Sequence, residues 1–122
     1  MDEAYSAGSP PEVPDLPARD EAAGLAAAGE DPDLAQELFA TLMADLPREI
    51  AEIRSYVAER HWDQVVQIAH RLRGAAGYCG VPQLDYALQE LERVAKTGEG
   101  STIGMWFRAV ADAADRLCEI TG

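Results

Sequence analysis

The residues able to do chemistry concentrate in one stretch, Gln67-Ile68-Ala69-His70-Arg71-Leu72-Arg73-Gly74-Ala75-Ala76-Gly77-Tyr78-Cys79-Gly80. On a helix turning about 100° per residue, the apolar set Val65, Ile68, Ala69, Leu72, Ala76 and Cys79 gathers on one side, and His70 falls roughly opposite. Gly74 and Gly77 follow on the outer face, one and two turns beyond His70. A glycine inside a helix costs about 1 kcal/mol relative to alanine, so two of them beside an exposed imidazole need a reason. Leaving out those side chains makes a bare shelf, on which another macromolecule can bring an atom up to the ring. Arg73 lies about 60° to the side of His70 by the same arithmetic, near enough for its cation to face an anion placed on the ring.

Other chemistries find little support. Gly74-x-x-Gly77-x-x-Gly80 follows a helix and not a strand, and no Gly-Lys-Ser/Thr occurs, so there is no nucleotide-binding loop and no self-contained kinase. His61 has no histidine or cysteine at ligand spacing, so no metal site is expected. No serine, histidine and acid arrangement suggests a hydrolase. Tyr56, Trp62, Trp106 and Phe107 read as core or rim packing, and Cys79 and Cys118 as buried small hydrophobes.

The elements that must hold His70 are helical. Alanine occurs 22 times against 16 Val, Ile and Thr together, which favours helix over strand. Five segments emerge. Arg19 to Ala28 is a short alanine-rich piece stopped by Gly29. The second follows Asp31-Pro32, a cap and a first-turn proline. Its apolar residues Leu34, Leu38, Leu42, Leu46, Ile50, Ile53 and Val57 trace one stripe, and Pro47 should kink it. The third runs from about His61 to Tyr78. The fourth follows Pro82 with Leu84, Leu88, Leu91 and Ala95 and ends at Gly98. The fifth carries Ile103, Trp106, Phe107, Val110, Ala114 and Leu117. Four substantial amphipathic helices on short Gly/Pro turns predict an all-α fold, an antiparallel four-helix bundle with a short extra N-terminal helix.

Charge divides the chain. Of 22 acids and 10 bases in the 122 residues, for a net charge of -12, nine acids and one base fall in residues 1–33. Residues 10–17 also hold four of the seven prolines. Residues 1–14 therefore read as a disordered acidic, Pro-rich linker and 15–122 as the folded domain. So negative a chain repels phosphate backbones and anionic lipid, which argues against nucleic acid and membrane surfaces as partners. Two cysteines, no signal peptide and no apolar run of spanning length point to the cytoplasm.

The sequence resembles the histidine phosphotransfer (HPt) modules of multistep phosphorelays. The motif is matched by His70, Leu72, Arg73, Gly74, Gly77, Gly80, Leu84, Leu88 and Leu91-Glu92, and the resemblance covers about residues 19–121. Within that family it is most similar to the C-terminal HPt domains of BarA/GacS-type hybrid sensor kinases, through Leu46-Pro47, Ala69-His70 and Gly77-Tyr78-Cys79-Gly80-Val81-Pro82. Arginine stands at position 73 where lysine is commoner, and glutamate at 92 where several members have glutamine.

The resemblance implies that His70 takes a phosphoryl group on Nε2 from a receiver-domain aspartate and passes it to a response-regulator aspartate. The attacking nitrogen must be unprotonated, which the reference pKa of a histidine side chain, about 6.5, allows at neutral pH. Arg73, Gly74 and Glu92 would support phosphate and ring, with Glu92 accepting the Nδ1 hydrogen. Met43, Gln67, Arg71 and Gly77 would form the docking surface. The domain itself would need no cofactor, Mg²⁺ coming with the receiver, and would be a monomer in isolation. The acidic start resembles a tether to a preceding receiver, so the chain reads as a fragment of a larger kinase. A second reading stays open: a four-helix interaction adaptor that docks through the same face and is never phosphorylated.

Overall fold

The computed structural model describes residues 14–121, all of whose regular elements are helices: α1 (Glu21–Ala27), α2 (Pro32–Ala58), α3 (Trp62–Ala76), α4 (Pro82–Ala95) and α5 (Gly100–Thr121). The expected linker lies outside the described residues except for exposed Pro14.

Local chemistry sets the helix boundaries. The Asp31 carboxylate accepts hydrogen bonds from the Asp33 and Leu34 amides at 3.1 and 3.2 Å, and Pro32 fills the first turn of α2. Such a cap contributes about 1 kcal/mol. At the other end Arg60 turns left-handed (φ 60°), and the His61 amide reaches back to the Tyr56 carbonyl at 2.9 Å. That bond closes the helix and reverses the chain into α3. Pro82 opens α4 in the same way that Pro32 opens α2. Although Pro47 removes the N–H that would bond the Met43 carbonyl, α2 runs on as one helix of 27 residues.

α2 to α5 form the four-helix bundle, each packing on its sequence neighbours and α5 returning against α2. Short connections make the neighbours antiparallel, and cross-helix pairs agree with that register. Glu49 meets Arg71 and Glu92 meets His70, while the rings of Tyr86 and Trp106 meet edge-on at 6.0 Å. Leu46, Ile53, Val65, Leu84, Leu88, Leu91, Ile103, Val110 and Leu117 are fully enclosed in one core. Truncating any one of those leucines to alanine costs about 2–5 kcal/mol.

Three expectations about packing need correction. Leu34 is exposed, because it stands in the first turn of α2 before the stripe enters the bundle. Phe39, absent from that stripe, is buried, with the Arg19 guanidinium 3.7 Å above its ring. Cys118 is exposed and not buried: Leu117 takes the inward position, and the next residue points about 100° away.

α1 is anchored by backbone. The Asp20 amide bonds the Gly80 carbonyl at 2.7 Å, and the Gln83 amide bonds the Pro17 carbonyl at 3.3 Å. Gly80 has φ 65°, and a Cβ there would lie 2.1 Å from the Asp20 carbonyl oxygen. Only glycine satisfies both the left-handed turn and that approach.

Candidate functional site

α3 presents its outer face between α2 and α4. His70 lies midway along it with its side chain 72% exposed, while Ile68, Ala69 and Leu72 are buried on the opposite side. A Cβ added at Gly74 would meet nothing within 4 Å. The shelf expected from sequence is therefore open space, kept so by the missing side chain. Gly77 is also exposed; it caps α3 in ordinary helical conformation, and a Cβ there would make normal contacts at 3.5–3.6 Å.

Glu92 of α4 lies buried beside the ring. Its Oε2 is 3.0 Å from His70 Nδ1, and its Oε1 accepts a 3.0 Å hydrogen bond from Arg73. The Lys96 ammonium lies 3.6 Å from Oε2, one turn along α4. Burial pushes the Glu92 carboxyl up, but the hydrogen bonds from Arg73 and His70, helped by the charges of His70 and Lys96, outweigh it and hold the group below its usual range. An ionised carboxylate can only accept, so the proton of this hydrogen bond belongs to Nδ1. In the neutral ring Nε2 is then left with its lone pair, on a side chain that is largely exposed.

Arg73 is 38% exposed and bridges the shelf and α4. It also faces Asp85, whose carboxyl burial pushes up and the Arg73 charge only partly brings back.

The other residues expected at the surface are placed less uniformly. Gln67 is exposed one turn before His70. Met43 is half-buried on α2 against the core; with Glu49 level with Arg71 in antiparallel register, Met43 comes level with Gly77. Arg71 is exposed, yet its guanidinium is committed to a buried carboxylate, Glu49 of α2, at 2.5 Å. Sequence reasoning missed Glu49. The signal was present, since an acid occupies the inward step between Leu46 and Ile53, but a charge on one helix does not name its partner on another. Lys96 was missed too.

Among the described residues no group of three or more His, Cys, Asp or Glu side chains converges as a metal site would. No helix there is long and apolar enough to cross a membrane.

An imidazole with its distal nitrogen bare, its proximal nitrogen held by a carboxylate and open space at the glycine one turn on has the chemistry of a nucleophile. A family model, described as the Hpt domain, matches residues 37–120. The chain belongs to the Hpt domain family. It is 37% identical over 82 residues to the sensor histidine kinase GacS of Pseudomonas protegens, an alignment covering 67% of this chain and 9% of that kinase. It is 40% identical over 73 residues to the sensor protein GacS of Pseudomonas syringae pv. syringae, covering 60% and 8%. The chain thus spans less than a tenth of the curated relatives it matches. Histidine phosphotransfer within a two-component phosphorelay is the role that membership and these relatives carry for an Hpt domain of this bundle architecture.

Proposed function

We propose that His70 is the phosphoacceptor, receiving its phosphoryl group from a receiver-domain aspartate and donating it to the aspartate of a response regulator. The observation that carries this reading is the bare Nε2 of an exposed histidine whose Nδ1 hydrogen is held by a buried carboxylate. In the forward step the Nε2 lone pair attacks phosphorus, an N–P bond forms, and the P–O bond to the aspartyl oxygen breaks with its electron pair leaving on the carboxylate. Nδ1 keeps its proton throughout. The ring gains positive charge as the bond forms, and Glu92, already in place and largely out of water, stabilises that charge without reorganisation.

Arg73 has two duties in this scheme. In the resting state it offsets the buried charge of Glu92; once the phosphoryl group arrives, its half-exposed guanidinium faces the incoming anion. Gln67, Gly77 and Met43 border the docking surface, with Arg71 as a flank already paired within the domain. The Mg²⁺ that phosphoryl transfer uses would come with the receiver. The reaction would take place in the cytoplasm, where the module would form the end of a hybrid kinase.

The decisive experiment mixes the protein with a phosphorylated receiver domain and Mg²⁺ and follows intact mass and acid lability. Wild type should gain one acid-labile phosphoryl group, and His70→Gln should gain none while keeping the same helicity and thermal midpoint. Acid-labile phosphate on the His70→Gln protein would overturn the assignment, and absence of phosphate on wild type would favour a pure adaptor.

A further inference from the structure

Glu49 and Glu92 are the two buried charged residues among the described residues, and they act on consecutive positions of α3. Glu92, on α4, takes the Nδ1 hydrogen of His70; Glu49, on α2, takes the guanidinium of Arg71. Arg48 also approaches Glu49, at 3.7 Å, but divides its charge with Asp45 and Glu52 at 3.6 and 3.5 Å. Arg71 is therefore the principal partner of Glu49.

Stability alone does not call for this second pair. An ion pair between a buried carboxylate and a cation still half in water adds little net stability, and Leu46, Ile50 and Ile53 already supply the apolar contact on this part of α2. What an ion pair adds is direction. Apolar burial is non-directional, so a helix packed on one apolar face resists separation more strongly than it resists a small roll about its own axis. His70 and Arg71 point about 100° apart around that axis. Two hydrogen-bonded carboxylates therefore grip α3 from opposite seams at one height, and a roll that shortens one bond strains the other. A roll of about 10° moves an atom some 7 Å from the axis by about 1 Å, and a misplacement of that size can cost about a hundredfold in rate.

We propose that Glu49 is a positioning residue for phosphotransfer: through Arg71 it fixes the rotation of α3, and so the direction in which His70 Nε2 meets the incoming phosphorus. The inference rests on His70 being the phosphoacceptor.

The test measures transfer from a phosphorylated receiver across a range of receiver concentrations, on the full chain. Wild type is compared with Glu49→Gln, Arg71→Met, the double variant and Arg71→Lys, which keeps the pair. Glu49→Gln and Arg71→Met should each lower the maximal rate about five- to tenfold, with the half-saturating concentration within about twofold of wild type. The double variant should be no slower than either single one, and Arg71→Lys should recover most of the rate. ¹⁵N spectra of the imidazole should show a loosened Nδ1–H tautomer in the slow variants only. A maximal rate within about twofold of wild type in a folded Glu49→Gln or Arg71→Met protein would overturn the proposal. So would a rise confined to the half-saturating concentration, which would make Arg71 a docking residue. Arg71 is exposed, so Arg71→Met decides the matter should Glu49→Gln fail to fold. If wild type takes up no phosphoryl group, the reading of His70 fails; if wild type reacts and these variants match it, only the positioning role falls.

Discussion

Gly74 and Gly80 lie six residues apart and do opposite things. At Gly74 an added Cβ would enter empty space; at Gly80 it would collide with the Asp20 backbone, on a chain already turned left-handed. The first glycine is absent bulk that serves no contact within the molecule. The second is a fitted joint, useful only to the protein itself. A sequence shows both as the same letter in the same run. Folding energetics separate them, because Gly80 relieves strain while Gly74 gives up helix propensity for nothing inside the molecule.

Four measurements sharpen this contrast. Gly80→Ala should have the largest effect, about 3 kcal/mol of lost stability in urea unfolding, from the left-handed backbone together with overpacking. Helicity belonging to α1 should go first, and an unchanged midpoint would show that α1 is not seated on the α3–α4 turn. Gly74→Gln should leave stability unchanged or raised, yet cut the transfer rate about tenfold, equivalent to about 1.4 kcal/mol in the barrier, by filling the shelf. Wild-type kinetics in that variant would mean the partner approaches from elsewhere. Gly74→Ala separates the two properties: stability should rise by about 0.5–1 kcal/mol, measured by thermal melting, while a methyl group leaves transfer nearly intact. The smallest effect concerns pH. Since Glu92 has its carboxyl lowered in the folded state, its contribution is complete above the ordinary carboxylate range and is lost as pH falls through the depressed value. Glu92→Gln should therefore flatten the acid limb of a stability-against-pH curve, leaving the limb above neutrality alone.

The bundle was legible because apolar spacing on α2, α4 and α5 encodes which side of each helix is buried, and that side needs no knowledge of the partner. His70, Arg73 and Gly74 were legible for a related reason: a wheel places them on a common outer face. What the wheel does not give is distance between helices. The resemblance suggested Glu92 as the ring's partner, and the 3.0 Å geometry now stands beside that suggestion. Glu49 had no such help, and an acid set between Asp45 and Glu52 reads as one more solvated charge until its arginine is found. Phe39 was missed because the group that covers it, Arg19, comes from outside the bundle. Cys118 was misjudged for treating cysteine as apolar by type when its position, one past Leu117, already faced water.

The seating of α1 on the α3–α4 turn has a consequence for the order of assembly. The Asp20 amide and the Pro17 carbonyl bond Gly80 and Gln83, partners that come into place only once α3 and α4 have met. A helix of seven residues is marginal by itself in water. α1 is therefore a late addition to a bundle that the other four helices close without it, and the first piece to leave when the molecule is warmed.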